Sequence, residues 1–248
     1  MSFYTTLARL RQKNHKAFAV LIDPDNCDEQ ACQRILTLTQ SCPPAAFLIG
    51  GSLLTKRNIQ EVNDFFKKHS SVPTVLFPGN SLHLISSADS ILFLSLISGR
   101  NPEFLIGHHV VSAPFLKQSG MEVIPTGYML VDCGSQTTVS YMSNTTPIPY
   151  NNKDIATCTA MAGELLGLKL IYMDGGSGAV KPISSEMIRA VKQAVDLPVV
   201  LGGGVRNVEQ LLACYQAGAD LVVVGNAIEK NPDFIKEMAE ATKKINEN

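Results

Sequence analysis

Short apolar runs recur along the chain, each closed by small or polar residues and separated by stretches with helix-like spacing. The runs are Phe18–Ile22, Ala46–Ile49, Thr74–Phe77, Ser90–Leu94, Gly127–Val131, Leu170–Met173, Val199–Leu201 and Leu221–Val224. Runs this short and this evenly apolar predict parallel strands buried on both faces. Eight of them alternating with helices predict an α/β fold, a closed (β/α)₈ TIM barrel, with residues 1–248 forming one domain.

Helix signals are clearest late in the chain. Ser184 is placed to cap the helix before strand seven, Asn207 with Gln210 resembles a capping box, and Gly218 stops that helix. Asn231-Pro232 reads as an N-cap with proline at the first helical position. Earlier the pattern is less regular. Only about a dozen residues separate Phe77 from Ser90, near the minimum for a helical crossover, so a shortened or missing third helix is expected. Asn101–Lys117 is long enough for a helix, with Pro102 at its start and Pro114 near its end. Cys133–Lys153, rich in Ser, Thr, Asn and Pro, reads as a long loop over the barrel mouth, either a lid or a disordered segment.

Composition narrows the function. The chain has 21 Lys+Arg against 22 Asp+Glu, which argues against a polyanionic partner such as nucleic acid. No run approaches the roughly 18 apolar residues of a membrane span. The first residues lack the apolar core and cleavage site of a secretory signal, so a soluble, cytoplasmic protein is expected. Cys27, Cys32, Cys42, Cys133, Cys158 and Cys214 contain no C-x-x-C pair and read as reduced, mostly buried thiols.

The candidate chemistry sits where strands end, the catalytic face of a barrel. Asp174-Gly175-Gly176-Ser177-Gly178, Gly202-Gly203-Gly204 and Gly225-Asn226 follow strands six to eight and suit close approach of backbone N–H groups to a phosphate. Strand one ends in Asp23-Pro24-Asp25, carboxylates suited to a divalent metal, although Asp25 and Asp28 serve equally as caps for the next helix. Strand two ends in Gly50-Gly51-Ser52, whose hydroxyl can meet a metal or phosphate; Ser52 or Thr55 can instead cap a helix over Arg57–Lys68.

Asp174 borders an anion nest, so it is expected to face a substrate hydroxyl as a base or an anchor. Tyr172 points either into that pocket or into the core. Lys181 either neutralises a phosphate or is solvated. His15, His69, His83, His108 and His109 have no partners at ligand spacing, and Lys169 lies at the wrong end of its strand for Schiff-base chemistry.

Together, Leu21-Ile22-Asp23-Pro24-Asp25, Ile49-Gly50-Gly51-Ser52, the Tyr172-to-Gly178 segment, Gly202-Gly203-Gly204-Val205 and Val224-Gly225-Asn226 resemble the geranylgeranylglyceryl phosphate synthase family. Asp174-Gly175-Gly176-Ser177-Gly178 is similar to its mainly bacterial branch rather than to the Glu-Tyr-Ser-Gly branch. The resemblance implies a prenyltransferase of ether-phospholipid biosynthesis. It would join geranylgeranyl diphosphate, or a related polyprenyl diphosphate, to sn-glycerol 1-phosphate. It implies Mg²⁺ at Asp23 and Ser52, glycerol phosphate at Tyr172, Met173, Asp174, Gly175, Gly176, Ser177, Gly178, Gly203, Gly204, Gly225 and Asn226, and a homo-oligomer, dimer or hexamer. Asp174, with Tyr172 beside it, would orient or deprotonate the hydroxyl. Leu53, Leu54, Leu92, Leu94 and Leu96 are candidates for a groove for the tail, leaving through the wall where the third helix is short, although residue by residue each reads first as ordinary core. The rival readings are an FMN-dependent barrel oxidoreductase, a phosphorylated-metabolite isomerase or aldolase, and a noncatalytic phosphate-metabolite binder.

Overall fold

The structure is a computed structural model that describes residues 2–56 and 58–247. Strands β1 (Ala17–Ile22), β2 (Phe47–Gly51), β3 (Thr74–Pro78), β4 (Ser90–Leu96), β5 (Glu122–Leu130), β6 (Leu170–Asp174), β7 (Val199–Gly202) and β8 (Leu221–Val224) close in chain order into a parallel barrel, β8 returning to β1. Alternation along each strand sorts its side chains into two cores. Ala19, Leu48, Val75, Leu92, Ile124, Tyr172, Val200 and Val223 fill the barrel interior. Val20, Ile49, Leu76, Ile91, Met129, Ile171, Met173 and Val222 pack outward under the helices.

The first helix, α1 (Phe3–Gln12), is a plug. Its Phe3 and Leu7 join the interior core from the N-terminal end of the barrel, stabilising by about 2 kcal/mol each. The Glu122 carboxylate accepts the Phe3 N–H at 2.9 Å, so a negative charge sits at the positive end of that helix.

The crossover helices are α2 (Glu29–Thr39), α3 (Ile59–His69), α4 (His108–Ser119), α5 (Thr138–Ser143), α6 (Lys153–Leu165), α7 (Ser185–Ala194) and α8 (Val208–Ala217); α9 (Asn226–Lys230) and α10 (Phe234–Glu247) follow β8. Between β3 and β4 the described residues form only a 3₁₀ turn, Ser81–His83, so the third helix is missing. Phe93, Leu94 and Ser95 of β4 are left half-buried as a result.

Other details differ from the sequence reading. β5 begins at Glu122, ahead of Pro125, because β4 offers it seven paired residues and proline's carbonyl still accepts the Lys169 N–H. The helix predicted over Asn101–Lys117 opens with a π turn, Glu103–Gly107, and continues through Pro114 to Ser119. Asn207 caps α8, but the reciprocal Gln210 bond goes to the Arg206 N–H, so the box is only half made. Asn231 and Pro232 form a turn ahead of α10. Neither Ser52 nor Thr55 caps α3, which starts at Ile59; Arg57 lies outside the described residues. The 133–153 segment is ordered, held by the Val131–Ile148 bridge and by α5, whose N-cap Thr137 forms a capping box with Ser140. Cys158 is exposed and Cys42 half-buried, while the other four cysteines are buried thiols.

Candidate active site

At the C-terminal ends of β6 and β7 the backbone takes conformations that favour glycine. Gly203 and Gly204 have φ of 82° and 80°, and a Cβ on Gly204 would sit 2.3 Å from the Lys181 carbonyl oxygen. The loops are cross-braced. Arg206 donates to the carbonyls of Ala179 (2.6 Å) and Val180 (3.2 Å), and the Ser177 hydroxyl donates to the Asn226 side chain at 3.2 Å. They wall a cavity of about 590 Å³.

Asp174 closes one side of that cavity and is buried. Its Oδ1 accepts the Gly176 N–H at 2.7 Å and its Oδ2 accepts the Tyr128 hydroxyl at 2.6 Å. Burial pushes its pKa above the ordinary 3.8, against the pull of those two donors. Such a carboxylate is a stronger base than a solvated one. Tyr172, also buried, stacks on Phe77 with ring centroids 5.1 Å apart and turns its hydroxyl towards Gly202, so the tyrosine is both interior core and pocket floor.

Across the mouth, Asp23 is half-buried, and burial pushes its pKa up. Its oxygens accept the Asp25 N–H and the Asn26 amide, both at 3.0 Å, so Asp23 caps the short turn Pro24–Asn26. Asp25 neither faces this cavity nor caps α2, which Asp28 does. Its carboxylate accepts the Thr55 N–H (2.6 Å), the Thr55 hydroxyl (2.7 Å) and the Lys56 N–H (2.9 Å), while the Lys56 ammonium bonds the Asp25 carbonyl at 2.6 Å. Burial opposes ionisation of Asp25, yet these donors hold it below the usual carboxylate range. Asp25 thereby pins the loop after β2 to the loop after β1.

An apolar groove leaves the mouth where the third helix is missing. Ile91, Phe93, Leu94 and Leu96 form its strand side, and Phe104, His108, Ser112, Val139 and Met142 its helix side. His109 bonds the Leu94 carbonyl at 2.8 Å, and burial lowers its pKa. Gly51, Ser52 and Phe77 line both groove and cavity, and α5 divides them, with Thr138 on the cavity and Val139 on the groove.

Asp23, Ser52, Tyr172, Asp174, Gly176, Ser177, Gly178, Gly203, Gly204, Gly225 and Asn226 therefore line one cavity. Met173 and Gly175 do not. Strand alternation turns Met173 into the outer core, and Gly175 gives its N–H to the Gly202 carbonyl. Of the candidate leucines Leu94 and Leu96 line the groove; Leu92 is interior core and Leu54 packs on the outer core, as the core reading has it, and Leu53 borders the cavity. Lys181 is exposed, as the solvated reading has it, with its ammonium 3.5 Å from the Tyr150 ring centroid. Tyr128 and Arg206 were not singled out from sequence. Tyr128 shows itself only through register, paired with Tyr172 across β5 and β6. Among the described residues no three His, Cys, Asp or Glu side chains form a metal-holding group, and no helix is long and apolar enough to cross a membrane.

This arrangement has known counterparts. The model of the PcrB family matches residues 9–243. The chain belongs to the PcrB family. A relative from Spirosoma linguale, a geranylgeranylglyceryl phosphate synthase, is 51% identical over 243 residues, 98% of each chain. Another of that name, from Chitinophaga pinensis, is 51% identical over 241 residues, covering 96% of this chain and 94% of its own. Both relatives are bacterial, as the branch resemblance implied. Among solved structures, the (S)-3-O-geranylgeranylglyceryl phosphate synthase of Thermoplasma acidophilum, in complex with its substrate sn-glycerol-1-phosphate, superposes with a TM-score of 0.92 at 30% identity over 100% of both chains.

Proposed function

We propose that this PcrB-family chain transfers a geranylgeranyl group, or a related polyprenyl group, from its diphosphate to the sn-3 hydroxyl of sn-glycerol 1-phosphate. The observation that carries this reading is the shared wall. A glycine-walled, carboxylate-bearing cavity and an apolar groove meet at Gly51, Ser52 and Phe77, so a phosphorylated acceptor and an apolar donor can be brought end to end. An oxidoreductase or aldolase built on the same glycine loops has no use for that groove.

The glycine loops hold the acceptor phosphate through backbone N–H groups, and Asp174 receives the acceptor hydroxyl. As the allylic C–O bond breaks, diphosphate leaves with the bonding electrons, the glycerol oxygen forms the ether bond, and Asp174 takes up its proton. Tyr128 and the Gly176 N–H keep that carboxylate aimed.

Asp23 and Ser52 fit Mg²⁺. One carboxylate and one hydroxyl are hard oxygen donors of the kind this ion takes while keeping water and substrate phosphate in its other positions. When bound, the ion supplies positive charge against the departing diphosphate. Family resemblance also supports a dimer or hexamer in the cytoplasm, which native mass spectrometry and fractionation would test. The deciding experiment incubates the protein and Mg²⁺ with labelled sn-glycerol 1-phosphate and farnesyl, geranylgeranyl or longer prenyl diphosphates. A labelled ether lipid supports the proposal and its chain length names the donor; no lipid from any donor refutes it.

A further inference from the structure

Two of the six cysteines meet in space although their spacing in the chain matches no familiar motif. Cys27 ends the turn that begins at Asp23, and Cys32 lies in the first turn of α2. The Asp28 side chain caps that helix by accepting the Ala31 N–H at 2.8 Å, and its carbonyl accepts the Cys32 N–H at 2.9 Å. The chain is thus folded back sharply, and the two sulfurs stand 2.7 Å apart.

That separation is only about 0.7 Å longer than a disulfide bond of about 2.05 Å, so bonding asks for a small displacement rather than unfolding. The pair is buried, at 8% and 3% exposure, but Cys27 also lines a cavity of about 330 Å³ together with Asp23, Asn26, Ala31, Arg34 and Glu229. A small oxidant that enters there meets Cys27 with the Cys32 sulfur in contact with it, so the cavity gives access to the pair. The two thiols share one hydrogen bond, which favours ionisation of one sulfur over the other: their contact holds Cys32 below the ordinary thiol value, while the same contact and burial push Cys27 up. Burial alone pushes Cys214 up to about 12, which keeps that thiol protonated and inert.

We propose that Cys27 and Cys32 form a dithiol modification site that closes to a disulfide on contact with a peroxide and reopens under a thiol reductant. The Cys32 thiolate attacks a peroxide oxygen, the O–O bond breaks, and a sulfenic acid forms. The hydroxide that leaves takes the Cys27 proton and becomes water. The Cys27 sulfur then attacks the Cys32 sulfur, and the second hydroxide leaves and takes up the proton that Cys32 first gave up. Two thiols and one hydrogen peroxide become one disulfide and two waters; the sulfurs lose two electrons and the peroxide oxygens gain them. With a resolving sulfur in contact, the sulfenic acid is captured before further oxygen is added. The proposal rests on the thiol geometry alone and does not depend on the chemistry proposed for the mouth.

The test treats the full-length protein with hydrogen peroxide, denatures it, alkylates the free thiols and maps the peptides by mass spectrometry. The expected result is a linked Cys27–Cys32 peptide lighter by two hydrogens, with both residues protected from alkylation and both released by dithiothreitol. In Cys27→Ser, Cys32 is expected to take up oxygen that dithiothreitol does not fully remove. Free alkylation of both residues in the treated wild type would overturn the proposal, as would added oxygen without linkage, or linkage of either to another cysteine. The wild-type result decides even if a variant fails to fold.

Discussion

The two halves of the barrel mouth are built by opposite means. On the side of β6 to β8 the polar wall is mostly backbone: glycines in left-handed conformations, loops braced to one another by Arg206 and Ser177, and one buried carboxylate held by two donors. On the side of β1 to β4 the wall is side chains on longer loops, pinned chiefly through Asp25, beside a gap where a helix is missing. A small, rigid, charged ligand suits the first half, where the N–H groups are already in place and little ordering remains to be done. A long flexible apolar ligand suits the second, where room matters more than directed polar groups.

That contrast can be broken from either side. The largest effect is expected from Asp174→Asn and Asp23→Asn, one in each half, each lowering turnover by about a hundredfold or more. Steady-state assays check it, and near-normal activity in both would remove the carboxylates from the chemistry. Gly204→Val comes next, because its side chain would meet the Lys181 carbonyl. It should weaken glycerol phosphate binding at least about tenfold while sparing donor KM, as calorimetry and kinetics would report. Asp25→Asn should do the reverse, raising donor KM about tenfold while acceptor affinity is kept, since it loosens only the β1–β2 clamp. Equal loss for both substrates would mean that the halves are not separable.

Smaller effects sharpen the picture. Met142→Trp, which fills the groove, should shift product length towards shorter prenyl donors without changing acceptor KM, read by lipid mass spectrometry. In a pH profile of kcat, activity should fall as acid protonates Asp174, with that limb above the ordinary carboxylate value of 3.8 because burial raises the folded pKa. The same shift makes the group's contribution to stability largest at low pH and lost as pH rises through the folded value.

The strands were legible because barrel strands buried on both faces leave plain apolar runs, and the missing helix was legible from the short stretch between Phe77 and Ser90. The glycine loops and Asp23 were legible because strand ends mark the mouth. What escaped depends on partners far along the chain. Tyr128 becomes a site residue only when β5 and β6 set its hydroxyl against Asp174. Asp25 looked like a cap because its true partners, Thr55 and Lys56, lie thirty residues away and offer no local signal. Pro125 masked the first half of β5, and only the barrel's closure shows that β4 needs it as a partner.

The omitted helix also sets how the molecule breathes. Where other strands are clamped from outside by a crossover helix, the chain from Pro78 to Ser90 is held by one 3₁₀ turn and a few side-chain bonds. Its amides should trade hydrogen for deuterium well before those of β6 to β8, and the first local opening of the barrel should be a widening of the groove. The weakest stretch of the wall is then also its door.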